Sequence, residues 1–200
     1  MLQRRWLRLS LSPLQERLAA RLAARRPATA HPPDGWWAGV AVLLAPAPDS
    51  VLLIRRADRA GDPWSGHIGL PGGRLAPEDP DLLATAIRET REEVGVDLAG
   101  AHLLGPLDDV APRTPLPRLV VVRPFVFALP ERPALALSDE VAQALWVELA
   151  DLARAGVYQE TEIELRGERR RFPAFRVGQH LVWGLTERIL SPLVALAGIG

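Results

Sequence analysis

The chain contains no cysteine and no lysine, one methionine and one tyrosine among its 200 residues. Without cysteine there is neither a disulfide nor a thiolate-ligated metal, and the redox compartment stays open. No apolar run approaches the roughly 20 residues of a membrane span, so no membrane partner is expected. Charge of either sign is also not in excess: 24 arginines balance 24 aspartates and glutamates. A net charge of zero gives no long-range attraction to nucleic acid or to an anionic membrane. The expectation is a cytoplasmic protein with a small-molecule partner and no nucleic acid. The absence of lysine, with 19 prolines and many alanines, reads as the bias of a GC-rich genome. There is no internal repeat and no low-complexity tract.

At 48% hydrophobic residues, the length suits one ordinary domain plus an appendage. The appendage is residues 1–35. Ser12 is a candidate N-cap, Pro13 fits the first helical position, and Leu14, Leu18 and Leu22 recur every fourth residue. Arg17, Arg21 and Arg25 line another face, a pattern also found in mitochondrial transit peptides. Glu16 and the proline-rich stretch Arg26 to Gly35 favour a packed or partner-binding helix followed by a linker. The main domain is then residues 36–200. Strand-forming runs appear at Trp37 to Leu44, Val51 to Arg55, Leu103 to Leu107, Leu119 to Leu129 and Ala144 to Leu149. Glu160 to Leu165 and Arg169 to Phe175 fit a hairpin around Gly167, and Leu185 to Ala197 fits a helix that Pro192 would kink or break. Strands mixed with a few helices predict an α+β fold.

One segment concentrates chemistry. Leu70-Pro71-Gly72-Gly73-Arg74 is followed by Arg88-Glu89-Thr90-Arg91-Glu92-Glu93-Val94-Gly95. On a helix from about Asp81 to Val94, Glu89, Glu92 and Glu93 share one face, with Leu83, Ile87 and Val94 expected on the opposite, buried side. Alone, such a cluster is usually a solvated helix face. Beside a glycine turn, three mutually repelling carboxylates call for raised pKa values or a bound cation. All-oxygen ligands select a hard ion, Mg²⁺ or Mn²⁺, which suits chemistry on phosphates.

The run from Gly73 through Asp79 to Arg88-Glu89-x-x-Glu92-Glu93-x-Gly95 resembles the Nudix box, GX5EX7REUXEEXGU. It departs at Asp79 (usually Glu), at Thr90 (usually apolar), and by one extra residue before Arg88. The resemblance implies a Nudix-type α/β/α sandwich with a mixed sheet, divalent metal on Glu89, Glu92 and Glu93, and a structural ion pair for Arg88. Further segments resemble the coenzyme A pyrophosphatase branch: Leu52-Leu53-Ile54-Arg55-Arg56, Ser65-Gly66-His67 leading to Pro71-Gly72-Gly73, and Trp183-Gly184-Leu185-Thr186. His67 stands where glutamine is usual and Leu70 where phenylalanine is, while Asp62-Pro63-Trp64 matches a neighbouring variant.

The activity implied is hydrolysis of a pyrophosphate linking a nucleoside to another moiety, with coenzyme A or its derivatives foremost. Nucleoside triphosphates or ADP-sugars are the alternative, and a non-catalytic ligand-binding domain is a more distant one. Glu140 is the candidate general base, ahead of Asp108 and Asp109. Arg56, His67, Gly72, Gly73 and Arg74 are candidate substrate contacts, because planar guanidinium forks match paired phosphate oxygens. Arg113 or Arg123 would meet a 3′-phosphate. Trp146 and Trp183 are expected to fill the core. A homodimer is open, since specificity resides in loops and subunit contacts outside the box.

Overall fold

The computed structural model describes residues 11–30, 36–61, 64–112, 120–165 and 167–199. It opens with helix α1 (Pro13–Ala23). Ser12 caps it by accepting from the Gln15 amide, while the Gln15 side chain accepts from the Ser12 amide at 2.9 Å. This capping box satisfies two amides that the first turn would otherwise leave open. Leu14, Leu18 and Leu22 are buried, each contributing about 1.5–3 kcal/mol. They share a cluster with Ile189, Leu190 and Leu193 of the last helix, so the hydrophobic core begins well before Trp36. Gln15, also buried, donates to the carbonyls of Leu44 and Leu129.

The main sheet contains, among the described residues, β1 (Trp36–Ala45), β2 (Ser50–Arg56), β3 (Ile68–Gly69), β4 (Gly72–Arg74), β5 (His102–Pro106), β6 (Val120–Ala128) and β7 (Val141–Glu148). β1 and β6 run parallel along nine residue pairs, and the other pairings are antiparallel, so the sheet is mixed. Alternation along β1 and β2 explains the layers. Val42, Leu44, Val51 and Leu53 face α1 and α4 (Gly184–Ala197), while Ala41, Leu43, Leu52 and Ile54 face α2 (Leu82–Val94). A central strand buried on both faces reads as a continuous apolar run, which is what Val40 to Ala45 is. The result is an α/β/α sandwich, as expected.

β1 and β2 pair only next to their turn, at Leu44–Val51 and Ala45–Ser50, and then splay apart. The segment Ile68–Arg74 fills the split, with β3 on β2 and β4 on β1. The Ala41 amide donates to the Pro71 carbonyl, and the Arg56 amide to the His67 carbonyl. Gly72 is obligatory here: its φ is +151°, and a Cβ would run into the backbone of Gly39 and Val40.

β8 (Tyr158–Leu165), β9 (Glu168–Val177) and β10 (His180–Trp183) form a second sheet. The hairpin turns at Gly167, with Glu162 opposite Arg171 and Glu164 opposite Arg169. A short helix α3 (Leu149–Ala153) follows β7 and was not anticipated. Three expectations need correction. α4 continues through Pro192 rather than breaking there, because that residue lies on the exposed side of the helix. β7 starts at Val141, three residues before the expected Ala144, since it pairs along β2 as far as Arg56. Trp146 and Trp183 are only half-buried: Trp146 packs against the α2-side cluster, and Trp183 meets the rings of His67 and Phe172 in tilted contacts. No helix among the described residues is long and apolar enough to cross a membrane.

Candidate active site

α2 is started by Asp81, whose side chain accepts from the Ala84 amide, and it ends at Gly95 in the left-handed conformation. Its buried face differs from the one the sequence suggested. Thr85, Ala86, Thr90, Glu93 and Val94 are buried, while Ile87 is exposed. The carboxylate face is therefore turned partly inward, over the β1–β4 pairing, instead of standing opposite the core. Two glycines make this approach possible. A Cβ on Gly39 would strike the Leu82 carbonyl, and one on Gly73 would overlap the Glu89 carboxylate. Thr90, at a position where an apolar residue is usual, returns its hydroxyl to the Ala86 carbonyl at 2.7 Å and so adds no unsatisfied donor to the core.

The three glutamates sit in three environments. Glu92 is exposed and Glu89 intermediate, whereas Glu93 is 4% exposed. Burial raises the Glu93 pKa from 4.5 to about 7, against a 2.9 Å hydrogen bond from the Gly72 amide and the pull of Arg56. Burial also raises Glu89, partly offset by Arg88. Both carboxylates feel the negative charge of Glu140. The structure thus brings Glu89, Glu93, Arg56, Gly72, Gly73 and Glu140 into one neighbourhood, although these residues span more than eighty positions of sequence.

Arg88 is held by Asp79 through two parallel contacts, Nε to Oδ1 at 3.0 Å and a terminal nitrogen to Oδ2 at 2.8 Å. Its other terminal nitrogen lies 2.9 Å from both Glu89 and Glu92. Asp79 also accepts from the Thr85 hydroxyl and the Ala76 amide, and Arg88 holds its carboxyl far below the usual range. As the side chains stand, no three carboxylate or imidazole groups among the described residues converge closely enough to ligate one ion. Glu89 and Glu92 are turned to Arg88 instead. The donor set still fits a divalent cation: it is all oxygen, crowded with negative charge, and includes a buried carboxylate whose ionised form the Gly72 amide and Arg56 compensate only in part.

The remaining candidates separate clearly. The Arg56 backbone joins the His67 segment, and the His67 ring lies 5.0 Å from that of Trp183. Arg74 places its guanidinium 3.6 Å from the Trp36 ring centre, while its carbonyl accepts from Arg88. Arg123 is committed to Asp109 by a two-pronged pair at 2.7 and 2.8 Å, with the Asp109 side chain almost wholly buried. Asp108 pairs with Arg25 and the Ala28 amide. Asp108, Asp109 and Arg123 are thus engaged with one another, with Arg25 and with the linker amides of Ala28 and Ala30. Arg113 and the pair Asp62-Pro63 lie outside the described residues.

Thr186, in a segment the sequence had marked, donates from α4 to the Ile68 carbonyl at 3.0 Å. Arg59, which pairs with Asp139 and Glu140, carried no signal in the sequence, because it acts across about eighty positions that neither spacing nor composition connects.

The NUDIX domain family model matches residues 22–166. A Nudix hydrolase NudL of Photorhabdus laumondii, itself uncharacterized, is 32% identical over 159 residues, covering 78% of this chain and 82% of that protein. An uncharacterized protein of Schizosaccharomyces pombe is 40% identical over 131 residues, 62% of this chain, which spans only 40% of that protein's length. Among solved structures, a MutT/nudix family protein from Enterococcus faecalis matches with a TM-score of 0.56 at 20% identity, covering 90% of this chain and 67% of that one. A NUDIX hydrolase from Alicyclobacillus acidocaldarius gives 0.52 at 22% identity, covering 81% and 92%. Those two establish likeness of fold only. With the family model spanning well over half the sequence and an α/β/α sandwich carrying the box helix beside its glycine turn, the chain belongs to the Nudix family and is a hydrolase of phosphorus anhydride bonds.

Proposed function

We propose that this enzyme hydrolyses the pyrophosphate of coenzyme A or its derivatives, releasing 3′,5′-ADP and 4′-phosphopantetheine, with Mg²⁺ or Mn²⁺ held by Glu89, Glu92 and Glu93. One observation carries the choice of substrate. The segments that resemble the coenzyme A branch, far apart in sequence, meet beside the box. The Arg56 amide bonds His67, the His67 ring meets Trp183, and Thr186 bonds Ile68. Contacts among those segments are what a shared recognition surface requires.

When bound, the divalent ion neutralises phosphate charge and lowers the pKa of an attacking water. The protein's own groups do the rest. Gly72 fixes the Glu93 carboxylate through its amide, and the Asp79–Arg88 pair keeps the box helix seated on the glycine turn. Glu89 and Glu92, which here pair with Arg88, would hold the ion together with Glu93. Arg56 faces the cluster and supplies positive charge to the pyrophosphate. Glu140, immediately before β7, is assigned the role of taking the proton of the attacking water.

Product analysis after incubation with magnesium tests the proposal. The panel is coenzyme A, ADP-ribose, NADH, dinucleoside polyphosphates and nucleoside triphosphates. Coenzyme A or an acyl derivative should have the highest kcat/KM. Faster hydrolysis of ADP-ribose or a triphosphate would discard the substrate assignment and leave the metal-dependent hydrolysis intact.

A further inference from the structure

Glu140 stands on a rim that the box helix does not build. Its backbone carbonyl accepts from the Ala57 amide at 2.8 Å, and the turn before it returns to the helix through the Ser138 amide, which donates to the Glu93 carbonyl. Opposite is the loop after β2. There the Arg59 amide donates to the Ser65 hydroxyl at 2.6 Å, and that hydroxyl donates back to the Arg59 carbonyl at 2.9 Å. Both backbones are thus anchored, leaving the side chains to meet between them. One Arg59 nitrogen lies 3.0 Å from Glu140 Oε1, and the other lies 3.3 Å from Asp139 Oδ2.

This contact is poorly placed to stabilise the fold. Arg59 is 45% exposed, Glu140 48% and Asp139 91%, and pairs of that kind contribute little. Its geometric consequence is larger. Glu140 is repelled by Glu89 and Glu93, and with no opposing contact its flexible side chain would turn out to solvent. A guanidinium nitrogen 3.0 Å from Oε1, on an anchored loop, restrains the direction in which the Glu140 carboxylate points.

We propose that Arg59 is a positioning residue for the hydrolysis, holding the Glu140 carboxylate at the cleft rim where it can accept the proton of the attacking water. This rests on the assignment of Glu140 as the base. Asp139 shares the guanidinium without facing the cluster and is a bystander.

The test is a kinetic double-mutant cycle on the full-length enzyme with saturating magnesium. Arg59→Ala should lower kcat by about tenfold with KM little changed, since a proton acceptor acts in the transition state. Arg59→Lys should restore most of the loss by supplying a cation at the same place, and Asp139→Ala should leave kcat unaltered. In a Glu140→Gln background, Arg59→Ala should cost less than about twofold more, because its target is gone. Additive losses in the double variant, a loss confined to KM, or a faster Arg59→Ala enzyme would each overturn the proposal. A Glu140→Gln enzyme with full kcat would instead remove Glu140 as base, and Arg59 with it, while leaving the metal site untouched.

Discussion

Replacing Glu93 by glutamine tests burial, charge and metal binding at one atom. The carboxylate is 4% exposed and its pKa is raised from 4.5 to about 7, chiefly by burial. Between those two values the unfolded chain releases this proton while the folded chain keeps it. Stability contributed by the group therefore falls as pH rises through that window, and the cost is complete above about pH 7. At about 1.4 kcal/mol per pH unit, the ionised carboxylate costs the metal-free fold about 3 kcal/mol at pH 8. Glutamine carries no charge and still offers an oxygen to the Gly72 amide, so most of that cost is relieved. After allowance for imperfect amide geometry, a gain of about 1–3 kcal/mol remains, or about 3–10 °C in melting temperature for a domain of this size. At pH 4.5 the gap should shrink below about 0.5 kcal/mol. Magnesium should reverse the order, since an ion that binds only the native wild type stabilises it by mass action. Turnover should fall about 10²-fold or more, the scale of losing one strong transition-state contact. The assays are thermal melts in chelator at pH 8 and 4.5, repeated with magnesium, and initial rates. Equal melting temperatures in chelator at pH 8, or a gap that does not narrow in acid, would refute the burial argument. Wild-type turnover at saturating magnesium would refute the metal assignment.

Gly73→Ala should keep the fold but lower kcat by about tenfold or more, because the new Cβ displaces only the flexible end of Glu89; unchanged rates would show that the carboxylate's position is unimportant. Arg88→Ala strands the buried Asp79 carboxylate and should destabilise the protein by about 3 kcal/mol, as well as reducing activity, with the first part read from denaturant midpoints. Gln15→Ala, far from the cleft, leaves two buried carbonyls with one donor fewer and should cost about 1–2 kcal/mol with kcat unaltered. Dephospho-coenzyme A should be hydrolysed at least about tenfold less efficiently than coenzyme A if an arginine fork reads the 3′-phosphate; Arg123→Ala should leave that ratio alone, since Arg123 already serves Asp109.

What could be read from the sequence was mostly what local periodicity encodes. The α1 cap, the box helix and the doubly buried β1 follow from spacing alone, because each is dictated within a few residues. Long-range commitments left no such trace. Arg123 looked as free as any other arginine until the fold placed Asp109 against it, and the arginine that pairs with Glu140, Arg59, could not be named from spacing at all. The inward turn of Glu93 was hidden for a different reason: an acidic residue on a buried face contradicts the polarity pattern, and only the close approach of Gly39 and Gly73 permits it. Conflicts of that kind between local pattern and tertiary placement collect at functional sites. The two departures from the box signature gain a physical meaning on the same terms. Asp79 is one methylene shorter than the usual glutamate, and the connection to Arg88 is one residue longer. Both changes bear on where the carboxylate sits. Together they leave it in two-pronged contact with Arg88, backed by Thr85 and the Ala76 amide. In this chain the arginine's grip is thus kept with a shorter acid and a longer connection than the signature has.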